Sequence, residues 1–178
     1  MSLIPPLPLD AIEDADLRAL IERCDAVGVP DARYGQILAH KPEPAKTTLR
    51  AMLQSHYEGD VDHKLKEVLR LQLARFADDD YFSSLRSKRA MADGLTEEVI
   101  ESGCGDYDKS PYFTDAEKCA LRFTEQMFLD ASKVDAAFYD DMKQHFSEAQ
   151  IMELGTFIAI HFGAIKAAIP LRLGASSN

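Results

Sequence analysis

Redox-active cysteine pairs are missing from this chain. Its three cysteines, Cys24, Cys104 and Cys119, are an odd number, and no C-x-x-C occurs. That usage fits a reducing cytoplasm and excludes a disulfide framework of the secreted kind. Metal-ligand spacing is missing too. The five histidines, His40, His56, His63, His145 and His161, form no H-x-x-x-H pair. No metal and no cofactor are expected, although His56 and His63 flank a short loop and could approach one another. Basic charge is scarce: 20 Lys and Arg stand against 30 Asp and Glu, a formal net charge of −10. A nucleic-acid partner normally selects a basic face, and an anionic membrane surface selects one as well, so neither is expected. No uninterrupted apolar run approaches the roughly 20 residues that span a bilayer. The opening MSLIPPLPLD has no basic segment and does not read as a secretory signal. Strict two-residue alternation, the mark of a half-buried strand, is absent.

What is present reads as helix after helix. The 178 residues are expected to form one domain with a full core. An N-terminal arm over 1–14 precedes it, the core spans about 30–170, and a frayed tail covers 172–178. Helices are expected over about Ala15–Val27, Asp31–Ala39, from the Pro42/Pro44 break to Tyr57, and from an Asp62 N-cap to Ala77. The run Asp78-Asp79-Asp80 marks the next start, since acidic side chains suit the positive end of a helix dipole. That helix is expected to continue to Ala92. Thr96 caps a short one, and a loop follows over Gly103–Pro111, carrying Cys104. Thr114 with Glu117 and Ser147 with Gln150 are two capping boxes, opening helices toward Leu129 and Ile169 with a shorter one over Asp135–His145 between them. The class is all-α, a bundle of antiparallel helices. Cys24 and Cys119 lie on apolar helical faces and read as small core residues.

Glu67 to Glu98 is the most informative stretch. Glu67 lies about 11 residues before the turn at Asp78, roughly 16 Å of helix, and Arg86 lies eight residues beyond it, roughly 12 Å. In an antiparallel hairpin the two sit at comparable depth. Glu67, Leu71 and Ala74 share one face, and Phe82 and Arg86 share the facing one. Two readings stay open: a buried ion pair that fixes the hairpin, or a substrate site. In the second, the Arg86 fork would hold a carboxylate, Glu67 would move a proton, and Tyr81, Phe82, His161 and His56 would line the pocket. Asp79 is either an N-cap or a partner in acid/base work.

The same stretch resembles the alkylhydroperoxidase-D-like/carboxymuconolactone decarboxylase family. In its thiol members a helical glutamate is followed 12 residues later by C-x-x-C-x-x-x-H. Here Glu67 occupies the glutamate position, Asp79 and Phe82 the cysteine positions, and Arg86 the histidine position. The resemblance extends over about residues 30–170, through Asp62–Glu67, Gly94–Glu98, Phe113–Glu117 and His145–Gln150. It implies an all-α, homo-oligomeric protein. With both cysteines replaced, thiol peroxidase chemistry is excluded at this position, because a thiolate is the attacking species. The function expected is that of a cofactor-independent enzyme of lyase or decarboxylase type on a small organic acid. The alternatives are a peroxidase-related antioxidant protein working through another cysteine, and a noncatalytic oligomer that binds a metabolite.

Overall fold

Every α-helix but one begins where a short polar side chain accepts a free backbone N–H; the helix over Pro42–Tyr57 starts instead on Pro42, which has no N–H to satisfy. The computed structural model describes residues 2–173; the expected tail beyond Leu173 lies outside them. The elements are α1 (Ala15–Val27), α2 (Ala32–Leu38), α3 (Pro42–Tyr57), α4 (His63–Phe76), α5 (Asp80–Ser84), α6 (Lys88–Ala92), α7 (Glu97–Cys104), α8 (Asp115–Asp130), α9 (Ala136–Met142) and α10 (Glu148–Ala168). No strand occurs among the described residues. Asp14, Asp31, Asp62, Asp79, Ser87, Thr96, Thr114, Asp135 and Ser147 each accept a backbone N–H at a helix start, satisfying a donor the helix itself leaves open. Both expected capping boxes form.

Helix α4 is the axis of the fold. It packs against α3, α5, α6, α7, α8 and α10, so every residue from Leu65 to Ala74 is buried, including Lys66, Glu67, Arg70 and Gln72. Close approach to α7 needs Gly103: a Cβ there would lie 2.3 Å from Val68 Cγ1. Around this axis, α1, α2 and α3 form one flank and α8 the other. The N-terminal arm is not free. Leu3 N–H donates to Leu171 O, Leu7 N–H donates to Gln36 O, and Ile12 is buried.

Three expectations need correction. The helix expected over Asp80–Ala92 is two short helices, because the backbone extends at Leu85 and Ser87 restarts it as an N-cap. Cys104 closes α7 instead of lying on a loop. One helical segment, Glu148–Leu171, is long and apolar enough by composition to cross a membrane, with mean hydropathy 1.6. It escapes a search for uninterrupted runs because Glu153 and Lys166 interrupt it. Its inward face buries Ile151, Leu154, Phe157, Ile158 and Ile165, so it serves as a core helix here.

Replacing Gly103 with alanine is expected to destabilise the protein by about 1–3 kcal/mol through overpacking against Val68. Denaturant unfolding should show a lower midpoint with an unchanged slope.

Candidate functional site

Glu67 is buried at the centre of α4, and its charge is met by three partners. Arg70, one turn later on the same helix, donates from Nε to Oε2 at 2.9 Å and from NH2 to Oε1 at 2.8 Å. The Ser87 N–H donates to Oε1 at 2.8 Å. His56 Nε2 lies 3.1 Å from Oε2, but off the ring N–H axis, so this contact is close without being an aligned hydrogen bond. Burial alone would raise the Glu67 pKa. The charge and hydrogen bonds of Arg70, with a lesser contribution from the nearby His56 ring, outweigh it and hold the carboxyl well below its usual range.

Arg70 is also fully buried, and the break between α5 and α6 supplies its remaining partners. Because that segment leaves the helix at Leu85, the Phe82 and Leu85 carbonyls are free to accept from Arg70 NH1 and NH2, at 2.7 and 2.8 Å. The same break frees the Ser87 N–H for Glu67. One departure from helical geometry thus completes the shell of a buried ion pair, which is stable only when such extra bonds are present.

Three histidines surround this pair. His63 Nδ1 lies 2.9 Å from the His56 carbonyl, which can only accept, so Nδ1 carries the proton. In the neutral ring Nε2 then accepts, and the Ser87 hydroxyl donates to it at 2.8 Å. His56 lies edge-on to His161 at 5.2 Å between ring centroids, and Phe157 stacks against His161 at 4.4 Å. His161 Nε2 is 3.4 Å from Ser55 Oγ. Burial pushes His56 down to about 4 and lowers His161 and His63 as well, so the rings are uncharged at neutral pH. A proton on His56 Nε2 would face the Glu67 carboxylate favourably. His56 Nδ1 is then a buried acceptor with no protein partner among the described residues, open to a proton or to a hydrogen-bond donor.

The residues expected to form the site divide into two groups. His56 does meet Glu67, and His161 packs against His56. Arg86 does not: its guanidinium turns outward and is gripped by Glu97, Nε to Oε1 and NH2 to Oε2, both at 2.8 Å. The expected Glu67–Arg86 pair is therefore replaced by Glu67–Arg70, because the extended residues around Leu85 rotate Arg86 off the face that a continuous helix would give it. Asp79 is an N-cap, accepting from the Phe82 N–H at 3.0 Å; burial raises its pKa. Phe82 is core, edge-on to Tyr34 at 5.3 Å, and the Tyr81 hydroxyl donates to Asp31. Sequence reading missed Arg70, Ser87 and Ser55; the expected approach of His56 and His63 across their short loop does occur, with the ring centroids 4.8 Å apart. The three-residue spacing of Glu67 and Arg70 was an available signal; the others had none.

No cysteine is poised as a thiolate. Burial pushes Cys24 up to about 12 and Cys104 up to about 11, and raises Cys119. Among the described residues no three His, Cys, Asp or Glu side chains converge to hold a metal ion.

With this geometry in view, the comparisons with known proteins can be placed. Neither a protein family model nor a curated protein matches the chain. Solved structures do. The debrominase Bmp8, in its apo form, superposes with a TM-score of 0.78 over 98% of this chain and 94% of its own, at 16% identity. An uncharacterized peroxidase-related protein with an alkylhydroperoxidase AhpD core, from Ralstonia eutropha JMP134, gives 0.76 over 99% and 92%, at 15% identity. A protein of unknown function from Agrobacterium tumefaciens gives 0.65 over 78% and 94%, at 18% identity. The chain has the alkylhydroperoxidase-D-like fold. The all-α architecture implied by the resemblance is therefore the observed one.

Two outcomes follow from this site. Replacing Arg70 with leucine strands Glu67 in the core and should cost about 3–5 kcal/mol. Replacing Arg86 with alanine breaks only a surface pair and should cost about 1 kcal/mol or less. Urea titration of both variants reads the contrast. Stability should also fall with acid. An unfolded histidine binds a proton below about pH 6.5, whereas folded His56 does so only near 4, so between those values the unfolded chain holds more protons. Glu67 acts in the same direction as pH falls through its ordinary 4.5. The midpoint of thermal unfolding should be steady above pH 7 and decline from 6.5 toward 4.

Proposed function

We propose that this protein is a cofactor-independent acid–base enzyme, of lyase or decarboxylase type, acting on a small organic molecule without thiol chemistry. His161 and His56 are its proton-handling pair, and Glu67, locked by Arg70, is the fixed negative charge behind them. The observation that carries this reading is His56: wholly buried, uncharged, 3.1 Å from an ionised carboxylate, and with Nδ1 lacking a partner. A neutral imidazole can donate a hydrogen bond from one nitrogen and accept a proton at the other. Desolvation holds it neutral here, and Glu67 favours any imidazolium that forms.

Arg86 no longer supplies a carboxylate anchor, since Glu97 occupies its fork. The reading therefore keeps the acid–base chemistry and does not rest on an anionic substrate. A small-molecule ligand is supported by a fold neighbour, a variant of the debrominase Bmp8, which was crystallised with 2,3,4-tribromopyrrole. The peroxidase-related alternative is disfavoured by three thiols whose pKa values are all raised.

Product formation should be screened across small lactones, carboxylic acids and hydroxy-aromatics. Replacing His161 with glutamine should lower turnover by about 10²–10⁴-fold with the fold intact by circular dichroism. Replacing all three cysteines with alanine should leave turnover standing. The opposite pattern, with turnover lost in the cysteine variant and kept in His161→Gln, would return the assignment to thiol chemistry.

A further inference from the structure

The buried histidines need a way to meet a ligand, and one surface feature reaches them. Between α3 and the N-terminal half of α10 lies a groove of about 440 Å³. Ser55 lines it, and the Ser55 hydroxyl is the only groove side chain recorded in hydrogen-bond contact with the histidine cluster among the described residues, at 3.4 Å from His161 Nε2. The same hydroxyl lies 3.3 Å from the Met52 carbonyl. It can therefore donate to that carbonyl while accepting from His161, or turn and donate to His161. A hydroxyl with those two settings passes a proton from the groove to the ring.

The lining also indicates what the groove takes. Gln54 and Thr156 present neutral polar groups, and Met152 presents an exposed apolar wall. The two charged residues on the lining, Glu58 and Glu153, are both acidic. Glu153 is already satisfied: Lys66 Nζ lies 2.5 Å away, and the Asp60 N–H donates to it at 2.9 Å. Lys66 is buried beneath the groove, donating to the Ser55 and Glu58 carbonyls at 3.1 and 2.6 Å. It fixes the floor and its charge is matched by Glu153. Among the described residues the Glu58 carboxylate pairs loosely with Arg23, at 3.9 Å and off the lining. An anion entering this groove meets two carboxylates and no basic side chain on the lining; an uncharged ligand meets no such repulsion.

We propose that the α3–α10 groove is the ligand mouth of the histidine pair, and that it binds an uncharged small molecule bearing a weakly acidic hydroxyl, a phenol or enol in class. The inference rests on the acid–base reading above. In the transfer step the ligand O–H bond breaks and its proton goes to Ser55 Oγ. The Ser55 proton goes to His161 Nε2, leaving a ligand oxyanion and an imidazolium, with no oxidant or reductant involved. Glu67 lies behind the imidazolium and offsets its charge.

Calorimetric titration of the full chain with phenol and with benzoate tests this. Phenol should bind, and benzoate, of similar size but anionic, should bind at least about tenfold more weakly. Thr156→Trp fills the groove from an exposed position and should weaken phenol by about tenfold or more without lowering the thermal midpoint. In the wild type, phenol should shift the His161 side-chain NMR resonances; in Ser55→Ala it should still bind and leave them unmoved. Benzoate binding as tightly as phenol, unchanged phenol affinity in Thr156→Trp, or bound phenol with no His161 response in the wild type would each overturn the proposal. A groove that passes these tests while His161→Gln keeps full turnover would stand, and the acid–base reading would fall alone.

Discussion

A carboxylate and a guanidinium, both wholly buried on the central helix, set the terms for the rest of this molecule. Removing two charges from water is costly, and their mutual attraction repays that only when every remaining donor and acceptor is also met. Glu67 and Arg70 meet the condition by drawing in the backbone of the next two helices: the Phe82 and Leu85 carbonyls on one side and the Ser87 N–H on the other. The break between α5 and α6 is thus part of the ion pair's shell. A continuous helix there would have used those backbone groups internally and left the pair short of partners.

The positions that the sequence resemblance sets against a redox couple carry structural side chains in this chain. Asp79 caps α5, Phe82 fills the core against Tyr34, and Arg86 joins Glu97 at the surface. Each does a structural task that its residue type suits. Glu67 is the one position that matches the resemblance by residue type, and an imidazole, His56, lies beside it. His56 and His161 stand in a low-dielectric interior that keeps them neutral, beside a carboxylate that the same interior would protonate were Arg70 not there. Strong opposite influences on adjacent titratable groups are a recurrent feature of acid–base sites.

The histidine cluster and the α3–α10 groove are linked by shared supports. Lys66, next to Glu67 in sequence but turned to the other side of α4, ties the α3–α4 connection to α10 through Glu153. Gly59 lets that connection pass tightly over the Glu153 carboxylate: its φ is +103°, and a Cβ there would lie 2.3 Å from the oxygen. Two ion pairs of one helix, one internal and one at the groove floor, therefore hold the interior polar groups and the opening in a fixed relation.

The sequence by itself determined the helical class and most helix starts, because a cap is a contract between residues two or three apart. Asp62, Thr96, the Thr114/Glu117 box and the Ser147/Gln150 box were legible for that reason, as was the burial of Cys24 and Cys119 on apolar faces. It also marked Glu67. The partner of Glu67 was decided only in three dimensions. Arg70 and Arg86 have the same charge, and choosing between them needs the rotation of α4 within its six neighbours and the extended turn at Leu85, which moves every later side chain to a new direction. His56 and His63 flank one short loop, so their approach was legible, but His161 lies far along the chain and no local pattern encodes its meeting with them. Capping energies act over one turn and survive in any window of sequence, whereas the dielectric around a charge is a property of everything packed against it.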